Sequence, residues 1–368
     1  MSVRAQTDEL VLGIELGNTY SRIGVYRNNR FEIIPNELIT SPPRPSKKLN
    51  LPFELWVDPS SPETDRLYIR MENIKGHEHH LVLYPEDILV EVARQLKQDA
   101  ERYLGRPVVK AVMAVPVMFD TFKRLYARVA VNKSGLRVVH VVDGSDMTVA
   151  GGDYKFGTKG VYEDRNVVLV DLGGSSLQGS LVCIDEMGGV DMDMPGSNPN
   201  FGGVSFDNRI VKHWAEQFKA QDPASGCDGI TKDVMAMTRL RREAEKAKIA
   251  LYSSDPGVTS VKVEIKLLYK GRDFTETLTR TKFEQLNRAL FWSVIEIFPS
   301  LLDECGLDRL DIRDIVLAGG SMRILRIVDI LKETFGVKEV YDTSRVGSRR
   351  KRLLFTMRRT VGIVKFRD

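Results

Sequence analysis

Two stretches decide the fold: Val11-Leu12-Gly13-Ile14-Glu15-Leu16-Gly17-Asn18-Thr19-Tyr20-Ser21 and Val168-Leu169-Val170-Asp171-Leu172-Gly173-Gly174-Ser175-Ser176. Each is an apolar run with a carboxylate near its end, then a glycine turn, then a second apolar run, residues 20–26 in one case and 177–184 in the other. Short apolar runs bounded by turn residues read as buried strands, so each stretch predicts a β-hairpin. The two hairpins lie roughly 150 residues apart, about one domain length, so the pattern reads as a duplicated domain and not as a solenoid repeat.

Outward from the first hairpin, residues 30–34 form a third strand after the turn pair Asn28-Asn29. Residues 41–62 hold six prolines and little periodicity, and they read as an extended excursion without regular structure. Helix 86–103, strand 108–115, helix 120–133 and strand 137–142 follow, and a glycine-rich joint spans 151–160. The second half repeats the opening: strands 166–172, 177–184 and 190–194, then helix 205–219. Helix 235–252 is amphipathic, with Leu240, Ala244, Ala247 and Leu251 on one face. A hairpin over 261–268 and 273–278, one long helix over 282–305, strand 312–317 and helix 323–335 complete the reading. The expectation is an α/β chain with a first lobe over 10–155, a second over 160–340 and a tail over 345–368.

Charge and composition narrow the function classes. The chain has 368 residues and a formal charge of +4. Residues 345–368 carry nine Lys and Arg and one acidic residue, a net of +8, so residues 1–344 carry −4. Nucleic-acid binding by the main fold is therefore not expected. The run Ser348-Arg349-Arg350-Lys351-Arg352 reads as a solvated basic tail, as a nuclear-targeting or polyanion-binding patch, or as a terminus produced by a gene-model accident. No apolar run approaches the ~18 residues that cross a membrane, and the first ten residues lack a signal-peptide core. Three unrelated cysteines form neither a disulfide framework nor a zinc pattern, which fits a reducing, cytoplasmic setting. His77-Glu78-His79-His80 has no partner cluster and reads as a polar loop.

The chemistry of the hairpins points to phosphate. Glycine lets the backbone turn tightly and bring N–H groups to an anion. Thr19, Ser175 and Ser176 add hydroxyl donors, and a carboxylate at a strand end, Glu15 or Asp171, can hold Mg²⁺ through water. A single glycine motif is as readily a plain tight turn; two in matching strand contexts favour a pair that clamps a phosphate tail. Ile315-Val316-Leu317-Ala318-Gly319-Gly320-Ser321-Met322-Arg323 reads as a buried strand, a Gly-Gly turn and a helix start that could face an anion. Phe201-Gly202-Gly203 opens the helix containing Asp207. The run from Arg241 to Lys248 is by itself a solvated helix face with pairs such as Glu245 and Lys248.

In their order, these elements resemble the ATPase domain of the DnaK-type, 70-kDa heat-shock chaperones over most of residues 10–340. The resemblance rests on Gly13-Ile14-Glu15-Leu16-Gly17-Asn18-Thr19-Tyr20-Ser21, Tyr103-Leu104-Gly105, Ala114-Val115-Pro116 and Val170-Asp171-Leu172-Gly173-Gly174. It continues in Phe201-Gly202-Gly203, Phe206-Asp207, the run Leu240 to Lys248, Phe283-Glu284-Gln285-Leu286-Asn287 and Val316 to Ile324. It implies a duplicated actin-like (ribonuclease-H-like) ATPase fold, two lobes around a nucleotide cleft, with ATP or ADP and Mg²⁺ as cofactors. By resemblance, Gly17, Asn18, Thr19 and Tyr20 face the phosphates from one lobe, and Gly173, Gly174, Ser175 and Ser176 from the other. Gly202 and Gly203 lie near the phosphates, Glu245 and Lys248 border the adenosine, and Gly319, Gly320, Ser321 and Arg323 lie beneath it. Asp171, with Glu15, holds the Mg²⁺ water shell. Pro116 and Arg124 match the family's relay toward its substrate domain. J-domain proteins and nucleotide-exchange factors are the implied partners, in a stress response. The implied compartment is the cytoplasm, or the endoplasmic reticulum by family alone.

The departures from the family pattern are specific. The family has Asp at Glu15, a second Thr at Asn18, Glu-Pro-Thr at Gly144-Ser145-Asp146, and Thr and Asp at Ser176 and Gln178. Its adenine-stacking Arg and adjacent Ser become Ile249 and Tyr252, and no lysine here matches its catalytic one. After Val340 the family's last helix of the domain is not recognisable, and no peptide-binding domain is expected. The expectation is an ATP-binding, chaperone-like module that resembles an ATP hydrolase with impaired turnover. The alternatives are a non-catalytic decoy for co-chaperones or exchange factors, and a truncated, degenerate gene product.

Overall fold

The computed structural model describes residues 10–17, 19–27, 30–34, 54–57, 67–71, 81–144, 164–184, 190–192, 196–221, 227–252, 257–337 and 340–342. The first hairpin forms as its pattern predicts. β1 (Val11–Leu16) and β2 (Ser21–Arg27) pair antiparallel, and β3 (Arg30–Ile34) adds to β2. Leu12, Ile14, Ile23, Val25 and Ile34 are buried on the core side of this sheet.

Within 41–62 the expectation of no regular structure is corrected over four residues. β4 (Glu54–Val57) pairs with β5 (Leu67–Met71), and β5 with β6 (Leu81–Leu83), in a three-stranded sheet. A strand this short between prolines has too few positions to show a period of two. The other residues of that stretch, the Asn28-Asn29 turn, the joint at 151–160, the His77 to His80 run and the tail lie outside the described residues.

α1 (Pro85–Leu104), β7 (Lys110–Val115), α2 (Thr121–Lys133) and β8 (Arg137–Asp143) follow. Pro85 sits in the first helical turn, where its missing N–H costs nothing. Asp120 caps α2 by accepting from the Lys123 amide at 2.8 Å. β7 and β8 join β1 in parallel, giving the order β3-β2-β1-β7-β8.

The second half runs β9 (Arg165–Leu172), β10 (Leu177–Ile184), β11 (Val190–Met192) and β12 (Gly196–Asn198). α3 (Gly203–Ala220) begins two residues before the predicted start, and α4 (Val234–Leu251) is capped by Asp233. β13 (Ser260–Tyr269) and β14 (Arg272–Thr279) make a hairpin. The predicted single helix over 282–305 is corrected to two, α5 (Arg280–Trp292) and α6 (Phe298–Glu304), separated by turns. Pro299 is the reason: inside a continuous helix its ring would clash with the preceding turn, but at the start of α6 it is tolerated. β15 (Ile312–Ala318), α7 (Leu325–Phe335) and β16 (Val340–Asp342) end the described chain. Between β15 and α7, residues 320–323 form a tight 3-10 turn, so the helix starts two residues later than predicted.

This sheet has the order β11-β10-β9-β15-β16, with β12 also on β10. As in the first sheet, the inner strand pairs antiparallel on one side and parallel on the other. Alternation along β9 serves two cores. Val168, Val170 and Leu172 face a large cluster with Phe206, Trp214 and Phe283, while Val167 and Leu169 face a small one with Val182 and Val316.

The β13–β14 turn is two residues, Lys270 and Gly271, with φ of 49° and 75°. A hairpin turn with both central residues left-handed suits glycine, and a Cβ on Gly271 would meet nothing within 4 Å among the described residues. Gly271→Ala is therefore expected to cost about 1–2 kcal/mol from backbone conformation alone, read as a lower denaturation midpoint in urea. An unchanged midpoint would show that the turn relaxes freely.

Candidate functional site

A cavity of about 440 Å³ opens where the turns of the two glycine hairpins meet, within the usual range for a small-molecule site. The β1–β2 turn brings Glu15, Gly17, Thr19 and Tyr20 to its wall, and the β9–β10 turn brings Asp171, Gly173, Gly174 and Ser176. The turns touch: a Cβ on Gly174 would collide with the Thr19 side chain. Asn18 lies outside the described residues. Ser175 and Gly202 do not line the cavity. The Ser175 hydroxyl is buried without a hydrogen-bond partner among the described residues, and Gly202 packs against the backbone of Gly174 and Ser175. Gly203 does line it. The first amides of α3 are already engaged, Gly203 donating to the Gly173 carbonyl at 3.0 Å and Val204 to Gly174 at 2.7 Å.

The far wall is one face of α4. Glu245, Lys248, Ile249 and Tyr252 recur at three- and four-residue spacing and all reach the cavity. Ile249 is half exposed, whereas Tyr252 is buried. The Tyr20 hydroxyl crosses from the first hairpin to donate to Glu245 Oε1. Burial, with Glu245 beside it, pushes that hydroxyl's pKa well above the ordinary tyrosine value. Lys248 Nζ donates to Asp207 Oδ2 at 2.7 Å and to the Gly203 carbonyl at 2.9 Å, tying α4 to α3. Both members of this pair are buried, and burial pushes the Asp207 carboxyl up to about 6 against the pull of Lys248.

The β15–α7 turn supplies Gly319, Gly320, Ser321 and Arg323. Gly319 has φ 84°, and a Cβ there would collide with the Leu172 carbonyl, so this turn lies directly against the end of β9. Ser321 Oγ donates to the Gly173 carbonyl at 3.0 Å. Gly320 is different: it lines the cavity, yet a Cβ there would meet nothing within 4 Å among the described residues. The space in front of it is open, and a ligand chain could occupy it. Glycine turns, the hydroxyls of Thr19, Ser176 and Ser321, and the cationic side chains of Arg22, Lys248 and Arg323 around that space fit a nucleotide's phosphates.

Pro116 and Gly144 close the cavity from the first sheet. Arg124 on α2 ties this region together, donating to the carbonyls of Phe119 at 2.7 Å and Val117 at 3.3 Å and to the carboxylate of Asp143.

Reading the sequence by type missed Arg22. It stands across from Glu15 in the β1–β2 register and lines the cavity. Its Nη1 donates to both Glu15 oxygens, at 3.2 and 3.1 Å. Glu15 stabilises the guanidinium charge most, burial opposes it, and Asp171 adds to it. The hairpin register could have found it, since Leu16 and Ser21 close the ladder and leave Glu15 opposite Arg22.

No helix among the described residues is long and apolar enough to cross a membrane, and no cluster of three or more His, Cys, Asp or Glu there could hold a metal ion. The family model described as Hsp70 protein matches residues 59–344; the first hairpin precedes the match, while the second hairpin, α4 and the β15–α7 turn lie inside it. With the match covering most of its length, the chain belongs to the Hsp70 family, whose fold is the actin-like ATPase fold.

Proposed function

We propose that this chain is an ATP-binding module of the Hsp70 type whose hydrolytic machinery is degraded. Members of the family bind ATP and ADP with Mg²⁺. The observation that carries the reading is the open space before Gly320, ringed by three glycine turns from distant parts of the chain. Thr19, Gly173, Gly174, Ser176 and Gly203 would hold the phosphates. Glu245, Lys248, Ile249 and Arg323 would border the adenosine. ATP supplies a reactive terminal phosphoanhydride when bound; the residues here would orient it and shield it from water.

The parallel order of the two main sheets supports reading residues 10–155 and 160–340 as duplicated lobes about this cleft. Impaired turnover is supported by two positions where the family carries catalytic groups. Gln178 is buried opposite Asp171, and Gly144 brings no side chain to the cavity. J-domain proteins and exchange factors would be the partners, and the Arg124 cluster would link the cleft to the surface of α2.

Hydrogen exchange on the whole chain tests the reading. Excess ATP, with and without Mg²⁺, is expected to slow exchange at residues 15–22, 171–178 and 319–324 together. Protection confined to other segments would place the ligand elsewhere. No protection, in a chain that melts cooperatively, would favour a non-catalytic interaction module.

A further inference from the structure

The carboxylates that end β1 and β9 would be the natural seat of a divalent cation beside bound phosphates, and their surroundings do not suit one. Both oxygens of Glu15 already accept from Arg22. The same guanidinium is coupled through space to Asp171. A hydrated Mg²⁺ would need those oxygens as acceptors for its water shell, and would sit beside a fixed positive charge that cannot be neutralised by losing a proton. The fit is good for the nucleotide and poor for the metal.

We propose that Arg22 is a resident cation that takes over the metal's electrostatic role, so that this cleft binds the free nucleotide in preference to its Mg²⁺ complex. The inference rests on the nucleotide reading given above. Three facts carry it. Arg22 lines the same cavity as the glycine turns and as both carboxylates. It is held from one side by Glu15, which leaves its other N–H groups available to an anion entering between the hairpins. Its side chain is about a quarter exposed, so it is positioned by the pair and yet reachable from the cleft. An arginine also matches a phosphate in a planar, two-pronged geometry that a hydrated metal does not. A cross-strand ion pair on an outward sheet face would do none of this. Glu15 fits the arrangement, because its added methylene relative to aspartate lets the carboxylate reach across the ladder to its partner.

The experiment is calorimetric titration of ATP into the whole chain, once with Mg²⁺ in excess and once with EDTA, for the wild type, Arg22→Gln and Arg22→Lys. Wild-type affinity is expected to be higher in EDTA than with Mg²⁺ in excess. Arg22→Gln is expected to lose about 10- to 100-fold in EDTA, the loss of one charge-assisted contact, with Arg22→Lys recovering part of it. Wild-type binding that is unchanged or weaker on metal removal would overturn the inference and leave the nucleotide reading standing. Equal affinity of wild type and Arg22→Gln in EDTA would also overturn it. Absence of binding in both buffers would remove both readings at once. The wild-type pair of titrations decides even if the variants fail to fold.

Discussion

Lys248→Met is expected to destabilise the chain by about 3–5 kcal/mol, the usual loss when one partner of a buried ion pair is removed. The cause is Asp207, which is buried, receives Lys248 on Oδ2, and has no hydrogen-bond partner on Oδ1 among the described residues. Without the ammonium, a carboxylate would remain in low dielectric with nothing to balance it. For a domain of this size the loss corresponds to roughly 6–20 °C in melting temperature. Its pH dependence has a defined sign. Burial holds the Asp207 carboxyl at about 6, above its unfolded value, so the folded state binds this proton more tightly. The stabilisation from that proton is complete below about pH 4 and is lost as pH rises through 6. Removing Lys248 pushes the carboxyl higher still, so the deficit of the variant is largest at pH 8 and shrinks toward pH 5. Melting curves across that range check it; a deficit that grows on acidification would mean that Asp207 is not the group left unbalanced.

ATP turnover is expected to be at least about 100-fold slower than in a family member that retains the catalytic groups, since one missing contact to the reacting phosphate costs ~3 kcal/mol. By resemblance, three positions have lost theirs: Gln178, Gly144 and the unmatched lysine. In the structure Gln178 faces Asp171 across the β9–β10 ladder as a neutral amide, and Gly144 follows β8 at the cavity wall with no side chain to position water. Such groups act as a unit, so the losses are not additive and the total falls short of their sum. Single-turnover hydrolysis of labelled ATP, with Asp171→Ala as background, is the measurement. A wild-type rate no faster than that background agrees with a degraded site. Turnover at the ordinary family rate, lost in Asp171→Ala, would show that another residue has taken over the chemistry.

The strands and helices that carry the cleft were legible because each obeys one local rule. β1 and β9 are apolar runs stopped by glycine, and α4 repeats its apolar residues at helical spacing. What was not legible depends on pairing partners or on a single residue. β4 and β5 exist because they pair with each other, not because either shows a strong period. The break before α6 turns on Pro299, which an amphipathic count over 282–305 passes over. Arg22 looks like an ordinary strand residue until the hairpin register sets it against Glu15. Lys248 and Glu245 look like a solvated pair on one helix, yet the fold gives Lys248 to Asp207 and Glu245 to Tyr20.

The central claim is that the space before Gly320 is a nucleotide site. It is tested most directly by titrating ATP calorimetrically into the whole chain and into Gly320→Val. A Cβ at Gly320 meets no atom of the described residues within 4 Å, so a side chain there starts into open space. The account predicts one ATP bound per wild-type chain, and an affinity at least about tenfold weaker in Gly320→Val at an unchanged melting temperature. Equal binding by the two proteins, or no heat of binding from a wild-type chain that melts cooperatively, would contradict it.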